Sequence, residues 1–311
     1  MASHGEGFGK VIMFGEHFVV YGIPAIASAI DSRTTAEVAK SGKYELVDNR
    51  PATPSYKKEK FSQQEESVKI IFNTMKISPE KTPIKITLGG DLVAASGVGA
   101  SAASCVAIAR ALSKEFEQNL NDEKINAVAF EGEKGYHGTP SGIDNTAATY
   151  GGLIWFRKGN PPTMERISMK QPVEIIMADT GITADTTAVV GDVKKRKEAE
   201  PEKFQKIFAE AEKIMADARA ALEEMDLPRV GTLMNRNHEL LQQIGVSCPE
   251  LETLVETARK AGAIGAKITG TGRGGNIVAL TPGTELQEKV AKAIEARGFR
   301  VLKTRIGIMP E

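Results

Sequence analysis

The sequence predicts an α+β chain of two domains, and three observations predict it. Its 311 residues are 41% apolar, enough to bury a large core and long enough for two moderate domains. The first part mixes strand and helix patterns. The second part sets long helical stretches among short apolar strands, the order expected when helices cover one face of an antiparallel sheet.

Taken in order, Val11-Ile12-Met13-Phe14, Ala25 to Ile30, Thr35 to Val38 and Ile84 to Leu88 read as strands, and the polar region Ser41 to Glu66 as a hairpin with a loop. Helical spacing follows over Ser101 to Asn119 and Asn121 to Lys134, and strand character over Ala147 to Phe156. The loop with Pro161 and Pro162 precedes an apolar run, Val173 to Ala178. The division is therefore drawn as domains 1–170 and 171–311. Pro201, Pro228 and Pro249 open helices, the first continuing to Met225. Ala266 to Thr269, Asn276 to Leu280 and Phe299 to Leu302 read as strands, with a helix from Glu285 to Arg297 between the last two.

Forty basic and forty acidic side chains cancel, so no overall field draws the protein onto nucleic acid or an anionic membrane. A small-molecule partner is expected. The two cysteines, Cys105 and Cys248, suit a reducing compartment better than a disulfide scaffold. The first residues lack the basic-then-apolar order of a signal peptide, and a cytoplasmic location is expected. Leu92 to Leu112 carries only Arg110 as a charge, but glycine and serine interrupt it, which favours a buried helix over a membrane span.

Four segments carry chemistry. Gly97-Val98-Gly99-Ala100-Ser101-Ala102-Ala103 runs from a glycine-rich turn into a helix, whose free N–H groups and positive dipole end attract phosphate. It also satisfies the dinucleotide pattern G-x-G-x-x-A, and Glu115 and Glu117 stand about 20 residues on, where a ribose partner belongs. That reading fails for want of a buried strand before the first glycine: Gly89-Gly90-Asp91 intervene. Ser101, in the first turn, either caps the helix or offers its hydroxyl to a nucleotide-bound metal. The second segment is Gly9-Lys10 before an apolar strand, then Gly15-Glu16-His17. A lysine there is either held by the sheet toward one spot or solvated at a strand end. Third, Glu131 to Asn145 joins a helix-end carboxylate, Glu133, to a tight turn, Gly138-Thr139-Pro140-Ser141-Gly142-Ile143-Asp144, denser in glycine and proline than a simple connection. Fourth, Lys267 to Gly275 holds four glycines between two strands, more than a turn requires.

Taken in chain order, from the Gly9 segment through the Gly97 loop and Glu131 to Asn145 to the Lys267 loop, the four segments resemble the superfamily of galactokinase, homoserine kinase, mevalonate kinase and phosphomevalonate kinase (GHMP kinases), and most of all its mevalonate kinase branch. Gly15-Glu16-His17-Phe18-Val19-Val20-Tyr21-Gly22 and Pro140-Ser141-Gly142-Ile143-Asp144-Asn145 carry the resemblance, which covers nearly the whole chain. Galactokinases place an acid two residues after the histidine for sugar hydroxyls, whereas this chain has Val19. The resemblance implies a GHMP kinase fold: an N-terminal ribosomal protein S5 domain 2-like domain, a C-terminal ferredoxin-like α/β sandwich, and an active site in the cleft.

What it implies for function is transfer of the γ-phosphoryl group of ATP to the 5-hydroxyl of (R)-mevalonate. ATP would lie along Ala94, Ala95, Ser96, Gly97, Val98, Gly99, Ala100, Ser101 and Ala102, with Mg²⁺ on Ser101 and Glu133. Asp144 would take the hydroxyl proton and Lys10 would pair with it. Glu16, His17, Ser141, Asp144, Thr180 and one of Arg157 or Lys158 would line the substrate. Thr180 equally suits a plain turn, and Arg157 and Lys158 suit solvated strand ends. His137 and His238 are read as structural. A homodimer is implied by the family alone. Phosphomevalonate or homoserine kinase, and a silent sensor of the same fold, are the alternatives. The chain departs from the family's P-x-G-x-G-L-G-S-S-A at Val93, Ala95, Val98 and Ala100, and Arg273 replaces a glycine common in the last segment; that arginine would add positive charge near the phosphates.

Overall fold

The computed structural model describes residues 2–94, 97–160 and 162–310. The chain gathers into two compact units: Met1–Lys10, Ala29–Gly151 and Met309–Glu311 form the first, Val11–Ser28 and Gly152–Ile308 the second. The passage at Gly151/Gly152 lies upstream of the 170/171 division drawn from the sequence, whose proline loop is described at Pro162 while Pro161 lies outside the described residues.

Two long strands run through both units along the chain, β1 (Ser3–Phe14) and β2 (Ala25–Lys40). The first unit adds β3 (Glu45–Asp48), α1 (Tyr56–Met75), β4 (Ile84–Gly90), α2 (Ala100–Glu115), α3 (Asp122–His137) and α4 (Ile143–Tyr150). Ile84, Ile86 and Leu88 are buried on alternate positions of β4, the period of a strand with one face in the core. β2 pairs with β4 antiparallel from Thr34↔Gly90 to Lys40↔Ile84. β3 pairs with the same strand parallel, Glu45↔Lys85 to Asp48↔Leu88.

That parallel pairing corrects the expected hairpin over Ser41 to Glu66. A parallel neighbour needs a crossover, and α1 supplies it. Its buried apolar residues, Val68, Ile71, Phe72 and Met75, all lie in its second half, so the first two turns show no helical period. α1 and α3 pack closely because α3 carries glycine where they meet. A Cβ on Gly135 would stand 2.5 Å from the Ser67 nitrogen, and one on Gly132 2.8 Å from Ile71 Cγ1. Each glycine costs about 1 kcal/mol of helix propensity, offset by the contact it permits. α2 is buried from Ala100 to Ala109 and forms the axis of this core.

The expected strand over Ala147 to Phe156 is a second correction. Ala147 and Ala148 are buried in α4, Gly151 caps that helix at φ 67, and the strand begins only at Leu153.

In the second unit come β5 (Leu153–Arg157), β6 (Thr163–Ile167), β7 (Val173–Asp179), α5 (Thr186–Ala199), α6 (Pro201–Glu224), α7 (Leu227–Gln243), α8 (Pro249–Lys260), β8 (Gly265–Thr269), β9 (Asn276–Leu280), α9 (Thr284–Glu295) and β10 (Arg300–Ile306). β10, β7, β9 and β8 lie side by side in that order, antiparallel throughout. α7, α8 and α9 pack against these strands, as the sequence predicts. Pro201 and Pro249 are the first residues of their helices and Pro228 the second of α7, where a missing N–H costs nothing. α5 carries only two buried apolar residues, Val189 and Val193, too few to be seen as a helix in the sequence.

Candidate functional site

In the first unit, the glycine-rich loop and three helix ends bring charged groups together. Gly97 and Gly99 both have positive φ, 85 and 72, and Gly99 is the N-cap of α2. A Cβ on Gly99 would stand 2.7 Å from Lys10 Cγ, so glycine there lets the lysine stem lie against the loop. The Lys10 amide donates to the Val98 carbonyl at 2.9 Å, which ties β1 to the loop. Ala95 and Ser96, expected in this loop, lie outside the described residues. Ala100, Ser101 and Ala102 form the first turn of α2, whose N–H groups have no partner within a helix.

Lys10 Nζ lies 3.2 Å from Asp144 Oδ1; the lysine side chain is 8% exposed and the aspartate 32%. Asp144 is the second residue of α4, after Gly142 at φ 88. Ser141, exposed at the same turn, accepts from the Ile143 amide at 3.4 Å.

Glu133, on α3, is buried. Burial, reinforced by the charge of Asp144, pushes its carboxyl up to about 8, against hydrogen bonding from Ser101 and the ammonium of Lys10. Ser101 is not the cap of α2. Its hydroxyl, 3.3 Å from His137 Nε2, faces the end of α3. His137, read from the sequence as structural, stands 4.0 Å from Glu133 Oε2. Its place four residues after Glu133, on the same helix face, is the signal that could have found it.

A divalent cation fits Ser101 and Glu133: a hydroxyl beside a buried carboxyl, whose ionised form a bound cation would favour, is a hard-oxygen donor set. Among the described residues there is no group of three or more His, Cys, Asp or Glu that could hold a metal.

In the second unit the Gly15-Glu16-His17 turn and the last glycine-rich loop are latched together. Lys267, fully buried, places Nζ 2.5 Å from Glu16 Oε1. Glu16 is itself 2% exposed, so this carboxylate, expected at the substrate, is engaged with a lysine the sequence reading left without a role. His17, at φ 61, donates from Nε2 to the Thr271 carbonyl at 2.7 Å. Burial, with the nearby Arg273 charge, holds its imidazole below the usual range against that hydrogen bond. Thr180 donates from N and Oγ1 to the Gly275 carbonyl, at 2.9 and 3.0 Å, and its hydroxyl accepts from Ile182 N; it is part of a turn that holds the loop. Arg157 meets Glu212 at 3.3 Å in an exposed pair, and Lys158 is exposed. The Arg273 guanidinium, expected as added charge for the phosphates, donates to Asp192 at 2.7 Å and to the Gly245 carbonyl at 3.2 Å.

The family descriptions "GHMP kinases N terminal domain" and "GHMP kinases C terminal" match residues 65–152 and 218–300. The mevalonate kinase of Pyrococcus abyssi is 34% identical over 318 residues, covering 96% of this chain and 93% of its own. The chain belongs to the mevalonate kinases of the GHMP kinase family. A crystal structure of L. major mevalonate kinase in complex with R-mevalonate is 43% identical, with a TM-score of 0.94 over 97% of this chain and 95% of that one. The mevalonate kinase of Aeropyrum pernix is 34% identical over 95% of this chain and 93% of its own. Family membership brings the GHMP kinase α+β fold and a nucleotide-dependent kinase activity. No helix among the described residues is long and apolar enough to cross a membrane.

Proposed function

We infer that the protein transfers the γ-phosphoryl group of ATP to the 5-hydroxyl of (R)-mevalonate, releasing 5-phosphomevalonate and ADP. The observation that carries this is the Lys10–Asp144 pair at 3.2 Å, with Lys10 stitched to the glycine-rich loop, in a chain of this family. The hydroxyl oxygen forms a bond to the γ-phosphorus as the bridging P–O bond breaks, and the proton passes to the Asp144 carboxylate. Lys10 orients that carboxylate and stabilises charge on the attacking oxygen and the phosphoryl group. Positioning and electrostatics supply most of the catalysis in such transfers.

The N–H groups at the start of α2 support phosphate binding along Ala94 to Ala102. The chemistry of the donor set supports Mg²⁺, which Ser101 and Glu133 would hold and which would neutralise phosphate charge. On the substrate side we keep His17, Ser141, Asp144, Thr180 and Arg157, and give Glu16 the part of holding the His17 turn through Lys267. We keep 1–170 and 171–311 as the functional division, and a cytoplasmic homodimer as the working form. A coupled ADP-release assay with mevalonate, phosphomevalonate, homoserine and galactose side by side tests the reading. Mevalonate is expected to be turned over far faster than the others, and preference for any other substrate overturns it.

A further inference from the structure

Arg50 has a place in this chain that the transfer reaction does not by itself require. It is 4% exposed, and every edge of its guanidinium is used. Nε and Nη2 donate to the two carboxylate oxygens of Asp48, at 3.0 and 2.6 Å. Nη1 donates to the Ala100 carbonyl at 3.2 Å and to Ser104 Oγ, and Ser104 Oγ itself donates to the Ala100 carbonyl at 2.8 Å. Asp48 is held in turn by Gln64 Nε2 at 3.1 Å, and its carbonyl by Lys57 Nζ at 2.7 Å.

The residues that follow Arg50 reach the other end of the same loop. The Ala94 amide donates to the Pro51 carbonyl at 2.7 Å and the Thr53 amide to the Ala94 carbonyl at 3.2 Å, a parallel bridge centred on Ala52↔Ala94. Backbone from Pro51 to Thr53 thus grips the residue where the loop begins, while the Arg50 side chain grips the first turn of the helix where it ends. Arg50, Tyr56, Lys60 and Ser101 also line one small cavity.

We infer that Arg50 is a positioning residue for the nucleotide: segment 50–53 spans the phosphate loop, and the guanidinium sets the spacing between its two ends. The inference rests on the reading that this loop holds ATP. The width of the loop decides where its N–H groups point, and Ser101 follows Ala100 directly, so a slack clamp displaces both phosphate donors and the metal-side hydroxyl. Misplacement on the scale of an ångström costs phosphoryl transfer heavily. Lysine cannot do the same work, because a point charge cannot bridge a carboxylate and a carbonyl as the planar fork does.

The test compares wild type with Arg50→Lys and Ser104→Ala, using binding of N-methylanthraniloyl-ATP with Mg²⁺ and steady-state kinetics with each substrate varied. For Arg50→Lys, we expect the analogue Kd and the KM for ATP to rise about tenfold, the scale of a lost charge-assisted contact, with the KM for mevalonate within about twofold. Ser104→Ala, which leaves the Asp48 pair intact, is expected to raise them by about two- to threefold. Unchanged ATP affinity with a lowered melting temperature would make Arg50 a purely structural residue and overturn the inference. If Arg50→Lys does not fold, Ser104→Ala decides: unchanged ATP affinity there overturns it. Wild type that does not bind the analogue overturns the nucleotide reading itself, and the inference with it.

Discussion

Lys10–Asp144 and Lys267–Glu16 are the same chemical pair in different surroundings. The first stands at 3.2 Å with its carboxylate 32% exposed. The second stands at 2.5 Å with both side chains at 0–1%. Burial depresses the Lys267 ammonium, and Glu16 offsets that by charge and hydrogen bond. In a closed pair the Coulomb attraction is spent on repaying desolvation, and nothing is left to meet a ligand. An ammonium that is sunk while its carboxylate keeps an open face instead presents an oriented proton acceptor. On the proposed reading, exposure of the acid, rather than the presence of the pair, separates a reactive centre from a structural latch.

The largest effect expected follows from the open pair. Asp144→Asn keeps the shape of the turn and removes the proton acceptor, so kcat should fall by roughly 10²- to 10⁴-fold, while N-methylanthraniloyl-ATP binds nearly as to wild type. Near-normal mevalonate phosphorylation by this variant would sink the assignment. The closed pair should answer in stability instead. Lys267→Met leaves the Glu16 carboxylate buried without its ammonium, at a cost of about 3–5 kcal/mol, and adding Glu16→Leu should recover most of it because an apolar pair of similar volume is tolerated. Urea unfolding measures both. A single variant as stable as wild type would show that the pair is no latch.

The same contrast accounts for what could be read before the structure. The glycine-rich loop, Lys10, Glu133 and Asp144, which the structure brings together, could be picked out because each sits in a short local pattern of glycines, a strand start or a helix end. Arg50 and Lys267 were not: beyond its local Asp48 pair, the contact that gives Arg50 its place is with Ala100, 50 residues away, and the partner of Lys267 lies 251 residues away. Glu16 shows the limit most clearly. Its neighbours place it in the right motif, but only the fold decides that its carboxylate turns to Lys267. Secondary structure was lost for a related reason. α1 packs through its second half alone, and α5 through Val189 and Val193, so tertiary burial makes helices there that periodicity cannot announce.

A smaller effect is expected at Ser101, on the open side of the comparison. Gly99 caps α2 and no side chain does so, so Ser101→Ala removes the hydroxyl that faces His137 and Glu133 and, on the proposed reading, a metal-side donor, rather than a helix cap. The KM for Mg²⁺-ATP should rise about tenfold, the scale of one hydrogen bond to a charged group, with the helix content unchanged by circular dichroism. An unchanged KM would remove Ser101 from the metal site.

The smallest effect belongs to the closed side, and its sign is set by His17. Burial first, and Arg273 second, hold this imidazole below its usual value, while its bond to the Thr271 carbonyl acts the other way. The folded state therefore binds a proton less readily than the unfolded chain. The stability this contributes is fully present above about pH 6.5 and is lost as pH falls through the lower folded value. His17→Gln keeps an N–H donor for Thr271 and cannot titrate. Between pH 7.5 and 5, wild type should lose roughly 1–3 °C more in melting temperature than this variant. Melting curves of equal slope for the two proteins would mean that the His17 turn is not closed to protons, and that the second unit's latch is looser than its buried Lys267–Glu16 pair implies.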